Sequence, residues 1–342
     1  MALIKEVKDM SKVKGMTKHR EFRTLVFLVL LFAIVGLINS DFISSGNIHN
    51  AAKNSLLYIV LAVGMTFVLL TGEIDISIGA VLGLSASVSG VILRDGGSVF
   101  LAVVIAITIG AVIGLINGLG VTKLKISSFI MTLGMLEIFR VTQVIFTNGK
   151  WVENLPDNFK HISQMNVFGI NILTIIIILA VILVHFYLSN SKKGRYFAAI
   201  GDNEDGAVLI GIPVNRYKVI AFVISGVSAS IAGLIFASQI GFISTTAGLG
   251  IEMIVIAAAV LGGVSLSGGI GSVIGASIGA IIMSSINSVL VFLKVPAFWN
   301  SAISGSLLII IVAADVLIAR RANNRTRKDR LNTRILNYKE EV

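Results

Sequence analysis

The chain has 342 residues, of which 55% are apolar before its 34 glycines are counted and only 13% are charged, against about 25% in ordinary soluble domains. That leaves too little polar surface for a water-soluble globule, and at about 20 residues per span the length is used up by roughly ten membrane helices with short loops, excluding a separate soluble catalytic domain. The net charge of +10, from 28 basic and 18 acidic residues, does not point to nucleic acid, because the basic residues cluster beside apolar runs as cytoplasmic flanks of membrane spans do.

In chain order, a basic tail over residues 1–23 precedes ten apolar runs at 24–38, 56–71, 78–93, 99–121, 129–146, 172–188, 219–237, 251–261, 270–293 and 302–318. The first run reads as an uncleaved span, since no soluble mature domain follows it. With the N-terminus in the cytoplasm, strict alternation puts the basic tail 1–23, Lys123 and Lys125, the cluster Lys192, Lys193, Arg195, Arg216 and Lys218, and the basic tail 319–342 on one side, together 22 of the 28 basic residues. Both termini are therefore expected in the cytoplasm. Trp151 and Trp299 fall at outer boundaries, where amphipathic rings prefer to sit. The expected fold is an all-α polytopic membrane protein with a transmembrane domain over 24–318. The external stretch 148–171 is placed to meet an external donor, and the internal stretch 190–217 an internal motor.

The chain also resembles itself. Residues 109–129 and 278–298 align at an offset of 169, with Gly110/Gly279, Ala111/Ala280, Lys125/Lys294 and Phe129/Phe298 identical. The topology gives the two segments opposite directions, the pattern of transporters built from inverted repeats, here with halves at about 52–147 and 218–318. TGEIDISIGAVLG from Thr71 and LGGVSLSGGIGSVIG from Leu261 are both polar, glycine-rich interruptions, the broken stretches expected beside a pathway rather than against lipid. Gly110, Gly114 and Gly118, and Gly271, Gly275 and Gly279, form small-residue ladders that let helix backbones approach closely.

Polar residues inside apolar runs are expensive, about 2.5 to 3.5 kcal/mol for a charge at a helix centre. Glu137 and Arg140 stand at i and i+3 with Gln143 a turn further on; they form a neutralised pair or line a pathway. Glu73 and Asp75 lie in the break after the second run, and Glu252 opens the eighth. Asp75 and Glu252 either cap helix N-termini or line a gate. Asn117 and Asn287 are placed to hydrogen-bond across helices. In the internal loop GRYFAAIGDNEDGAVLIGI, Asp202 or Asn203 can cap a short helix that Gly211 and Pro213 end, suited to docking in a partner's groove. No GxxxxGK[ST] or HExxH motif occurs, the four histidines are scattered and cysteine is absent, so no catalytic or metal-ligating set is assigned. If ATP drives transport, another subunit must hydrolyse it.

TGEIDISIG resembles the TGGIDLSVG signature of the permease subunits of ABC sugar importers of the ribose, galactose, xylose and arabinose group. NGLGVTKLKISSFIMTLGMLEIFR, GRYFAAIGDNEDGAVLIGI and IEMIVIAAAVLGGVSLSGGIGS resemble that family's remaining blocks, in order, from about Ser55 to Asp315. Within the group, GKWVENLP, FASQIGFI and VPAFWN are most similar to members that take up a quorum signal. The resemblance implies a permease in the bacterial cytoplasmic membrane, paired with a second permease subunit, identical or related. A cytoplasmic ABC ATPase that uses the ATP and an extracytoplasmic substrate-binding protein complete the system, and no cofactor is bound by this chain. It carries over an ATPase-coupling loop of Gly194, Arg195, Gly201, Asn203 and Gly211. It also places Asp75 and Ser77, and Gly262, Gly263, Gly268 and Gly269, at broken helices. Asp75, Ser77, Asn117, Glu137, Arg140, Glu252 and Asn287 are then the candidates for the pathway or gate. Glu73 stands where the pattern has glycine, and Ser127 and Ser128 replace paired prolines, which removes the rigid start expected of the fifth span. Asp202 and Gly206 replace a glycine and an alanine of the coupling loop. The expected function is import of a sugar or sugar-like signal molecule; the alternative is a proton-coupled secondary transporter using Asp75, Glu137 or Glu252.

Overall fold

The computed structural model describes residues 21–296 and 299, 302–303, 305–306, 309–310 and 313. The N-terminal tail to residue 20, most of the run 302–318 and the tail 319–342 lie outside the described residues. Nine of the ten apolar runs coincide with helices: α1 (Glu21–Ile38), α2 (Ser45–Leu70), α3 (Ile78–Arg94), α4 (Val99–Thr122), α5 (Ser128–Phe146), α7 (Ile172–Asn190), α10 (Val214–Ile240), α11 (Ile251–Leu261) and α12 (Val273–Phe292). Three further helices, α6 (Asp157–Ile162), α8 (Lys192–Asp202) and α9 (Glu204–Leu209), belong to the two hydrophilic stretches. A minimal hairpin pairs β1 (Asn166–Val167) with β2 (Ile170–Asn171).

Seven of the described helices, α1, α2, α4, α5, α7, α10 and α12, are long and apolar enough to cross a membrane. The chain is thus a multi-pass helical membrane protein. Helix α3 has 17 residues and α11 only 11, about 16 Å at 1.5 Å per residue. Both follow irregular segments, 71–77 and 241–250.

α2 is the central helix, with 72% of its span buried against 11% in α7 and 17% in α1 and α5. Its side chains pack with those of α3, α10, α11 and α12 in one apolar cluster that includes Leu61, Met65, Leu82, Ala229, Val255 and Met283. The first glycine ladder seats α4 on α10: a Cβ on Gly110 would strike the Gly226 carbonyl, one on Gly114 the Phe222 carbonyl, and one on Gly118 would come within 2.8 Å of the Val219 Cα. The second does the same for α12 on α11, with Gly275 against Gly262 and Gly279 against Ala258. Gly271 falls outside α12 and faces Val264 instead. Without backbone contact of this kind, helices in lipid have little to hold them together, since lipid tails are as apolar as leucine.

Candidate functional site

The break after α2 is closed by glycine and then satisfied by side chains from elsewhere. Gly72, at φ +79°, turns the chain out of α2. The Glu73 N–H still reaches the Val68 carbonyl of α2 at 3.3 Å, but the amides beyond it have left the helix, and inside an apolar bundle each must find another partner. Ile74 N–H donates to Ser128 Oγ at 3.2 Å and Ile76 N–H to Thr132 Oγ1 at 3.0 Å, both on α5. A proline at position 128 has no hydroxyl to accept that bond. The serine that departs from the family pattern therefore does a job in this chain.

Asp75 anchors the same break. Its Oδ1 accepts from the Ser77 N–H at 3.0 Å and the Ser77 hydroxyl at 2.6 Å, and its Oδ2 accepts from Ser225 on α10 at 2.7 Å. Asn117 on α4 donates to Ser77 Oγ at 2.9 Å. All four residues are buried, and the Asn117 Oδ1 atom has no partner among the described residues. Asp75 thus steadies the start of α3 by binding the residue before its first turn, where a negative charge is favoured, and it ties that start to α4 and α10. A second buried hydroxyl contact, Ser85 with Ser230 at 2.7 Å, continues the α3–α10 seam.

Both breaks meet the stretch 190–217. Gly263, Gly268 and Gly269 adopt φ of +90°, +84° and +76° in the segment 262–272, a backbone that side chains rarely adopt. Gly269 N–H donates to the Leu70 carbonyl at 3.1 Å, so this segment closes the end of α2. A Cβ on Gly268 would lie 2.8 Å from the Gly201 Cα and 2.9 Å from the Gly72 Cα. Gly72, Gly201 and Gly268 are therefore three backbones in contact, one from each break and one from α8. Helix α8 is seated by Phe197, whose ring stands edge-on to Phe67 on α2 and Tyr217 on α10 at 5.1 and 5.2 Å.

The rest of the predicted coupling loop separates into roles. Asn203, not Asp202, is the cap of α9, accepting from the Gly206 N–H at 2.8 Å. Gly206 lies against that cap, where a Cβ would be 3.0 Å from the Asn203 Cγ. Gly194 packs α8 against the last turn of α7, and Gly211, at φ +82°, turns the chain after α9. Arg195 is exposed and donates to the Asn190 carbonyl at 3.4 Å, away from the glycine contact. Val208, Leu209 and Ile210 are exposed, with Leu209 at 87%.

Sequence reasoning missed the ion triad beside this junction. Lys218 Nζ, on a side chain only 10% exposed, donates to Glu73 Oε1 and to Glu204 Oε2, each at 2.8 Å. These three residues border a cavity of about 400 Å³ together with Lys125, Ser127, Ser128 and Asn215. The only signal in the sequence was Glu73 itself, a carboxylate where a glycine was expected.

On the other side of Asp75, the segment 241–250 runs without helical structure along a row of glycines on α3. The Ala247 carbonyl lies over Gly83, the Gly79 carbonyl against Gly248, and Ile243 over Gly90. Ile243 pairs with Val152 of the stretch 148–171, and Trp151 stacks on Phe242 at 5.4 Å. Gln143 leaves the expected row with Glu137 and Arg140 and instead donates to the Ser244 carbonyl at 3.2 Å. Arg140 contacts Glu137 at 3.3 Å and Glu252 at 3.5 Å. Glu252 is buried in the notch that Gly79 leaves, and its Oε2 has no partner among the described residues. The α5 pair is thus part of a three-residue cluster joining α5 to α11. Arg140 also lines a cavity of about 250 Å³ with Val144, Gly149, Thr245, Thr246, Ala247 and Leu249. Glu252 is not a cap: the residue before α11 is Gly250 at φ +78°, and Glu252 lies inside the first turn. Asn287 is exposed on α12 and joins neither cluster, so the cross-helix hydrogen bond expected of it is not formed among the described residues. Asn117 does form one.

The family profile described as branched-chain amino acid transport system / permease component matches residues 47–312. The autoinducer 2 import system permease protein LsrC of Enterobacter sp. (strain 638) is 39% identical over 303 residues, which cover 89% of this chain and 88% of that protein. The protein of the same name from Escherichia coli O9:H4 (strain HS) is 38% identical over 89% of each chain. That from Photorhabdus laumondii subsp. laumondii is 40% identical over 306 residues, covering 89% of this chain and 91% of that one. No solved structure matches the chain.

Proposed function

The chain belongs to the family of branched-chain amino acid transport system permease components, and from that premise we propose that it is the membrane-spanning subunit of an ATP-driven importer whose cargo is a sugar-like signal molecule of the autoinducer 2 kind. The cargo rests on the names of its relatives and on the blocks it shares with sugar permeases. A separate ATPase hydrolyses ATP on the cytoplasmic side, an extracytoplasmic binding protein delivers the cargo, and a second permease subunit completes the pathway in the bacterial cytoplasmic membrane. The chain itself binds no cofactor and makes or breaks no covalent bond.

The observation that carries the mechanism is the contact of Gly72, Gly201 and Gly268. A displacement of α8 cannot leave either break unaffected, because no side chain lies between the three backbones to absorb it. The ATPase docks on α8 and α9, where Val208, Leu209 and Ile210 stand uncovered. Its ATP-bound and ATP-free states then favour different arrangements of the breaks, which is all that transport requires of this subunit. Asp75, Ser77 and Asn117 hold the inner part of the pathway, and Glu137, Arg140 and Glu252 its gate; Asn287, exposed on α12, stands apart from both. The hydroxyls and amides around the breaks suit a neutral, hydroxyl-rich cargo.

Element order supports two inverted halves. Helix α2, the break 71–77, α3 and α4 are followed later by α10, the segment 241–250, α11 and α12. Lys125 and Lys294, separated by the same 169 residues that align the sequence, both turn through left-handed backbone at φ +57° and +58°. In this order the counterpart of 71–77 is 241–250, so the likeness between the stretches from Thr71 and Leu261 is one of composition rather than position. A cytoplasmic N-terminus is supported by Thr24 on α1, which donates to the Leu261 carbonyl beside the second break, next to the α8 junction.

The proton-coupled alternative is not favoured: Asp75 is enclosed by three donors, and the relatives are import-system permeases. The test is reconstitution of the chain with its ATPase and binding protein in vesicles. Uptake of autoinducer 2 that requires ATP hydrolysis is expected. Uptake that persists without ATP, or that an uncoupler abolishes while ATP is held constant, overturns the reading.

A further inference from the structure

We propose that Glu73, Lys218 and Glu204 form a strut that carries movement of the coupling segment into the first break; the proposal rests on the ATP-driven importer reading above. The three residues come from three different parts. Glu204 is the first residue of α9, Lys218 lies in the second turn of α10, and Glu73 is in the break itself. Neutralising a buried ammonium takes one carboxylate, yet Lys218 holds two at 2.8 Å, 14 and 145 residues away. An ammonium has three donors and can grip both at once. Glu204 is half exposed, so it is not driven to the lysine by lack of water; the bond instead fixes where α9 begins.

From Glu73 the linkage runs onward through the chain. Two residues later Asp75 binds Ser77 and Ser225, and Ser77 binds Asn117. Charge-assisted bonds from α9 to Glu73, the covalent backbone from Glu73 to Asp75, and hydrogen bonds onward from Asp75 therefore lead from α9 to the start of α3 and the inner half of α4. Coupling between sites is carried by networks of this sort when they bear on an element with two arrangements. The break is that element, and the cavity of about 400 Å³ against the strut gives it room to shift as a unit. The glycine junction passes displacement by contact; the strut adds a pull, so that α9 cannot withdraw without drawing Glu73 after it.

The experiment uses the complete transporter in vesicles and reads cargo imported per ATP hydrolysed. Glu204→Gln, at a half-exposed position, and Glu73→Gln each weaken one charge-assisted bond, and the ratio is expected to fall about fivefold in each. Lys218→Met lowers it further, and Lys218→Arg, which can hold two carboxylates, keeps it near the unsubstituted value. A purely structural role lowers the yield of folded protein and leaves the ratio alone. An unchanged ratio in both Glu204→Gln and Glu73→Gln overturns the strut even if Lys218→Met folds poorly. Absence of ATP-dependent uptake by the unsubstituted transporter instead overturns the importer reading itself.

Discussion

Gly201→Ala tests the glycine junction with the smallest possible perturbation. The added Cβ would strike the Leu70 carbonyl and lie 2.6 Å from the Gly269 N and 2.9 Å from the Gly268 Cα. All three obstacles are backbone, and two of them belong to the bond from Gly269 N–H to Leu70 O that closes α2. Ordinary contact begins near 3.4 Å, so to clear the Leu70 carbonyl α8 must lift by more than an ångström or the second break must deform. Overpacking of this kind costs about 1–3 kcal/mol. The spans are held by their own core, whereas α8 is held chiefly by Phe197 and Ile200, so α8 is the part that gives way. At 1.4 kcal/mol per factor of ten, the seated arrangement of α8 loses about five- to 150-fold in population. Uptake in reconstituted vesicles is expected to fall within that range, while thermal unfolding of the purified chain, followed by tryptophan fluorescence, moves by only a few degrees. Gly211→Ala provides the contrast, since nothing lies within 4 Å of its Cβ and only the φ of +82° is strained. Gly201→Ala with the uptake and melting of the unsubstituted chain would refute the claim that α8 and the breaks move together.

Other substitutions probe the remaining contacts. Ser128→Ala leaves the Ile74 amide without its acceptor and should destabilise the chain by about 1–3 kcal/mol, read as a lower melting temperature; Ser127→Ala, whose side chain makes no cap bond, should not. Arg140→Gln removes the cationic partner of the buried Glu252 carboxylate and should destabilise the chain by about 1–3 kcal/mol. Adding Glu252→Gln should recover much of that loss in a double-mutant cycle on thermal stability. A strictly additive cycle would show that the 3.5 Å contact is not an energetic one.

How much of this was legible beforehand differs by the kind of force involved. Hydropathy marks nine helices at their observed places, because the transfer of a helix into lipid is a local property summed over its own residues. The ladders of Gly110, Gly114 and Gly118 were equally legible, since close approach needs only the absence of side chains at a fixed spacing. Asn203 as a cap lay within reach for the same reason, a bond to an amide three residues away. Irregular backbone was harder: the sequence marks breaks after Thr71 and Leu261, but not that the segment 241–250 runs without helix along Gly79, Gly83 and Gly90 of α3.

Composition and order by themselves determined that this chain lies in a membrane, where its spans fall and which family it resembles. Only the tertiary structure decided which polar groups answer one another. Ser128 meets Ile74 across 54 residues, Arg140 meets Glu252 across 112, and Lys218 meets Glu73 across 145. A polar group inside a low-dielectric bundle must have a partner, but nothing in its own neighbourhood says which one. That choice is made by how the helices pack, and in this protein the packing brings both breaks and α8 to a single point.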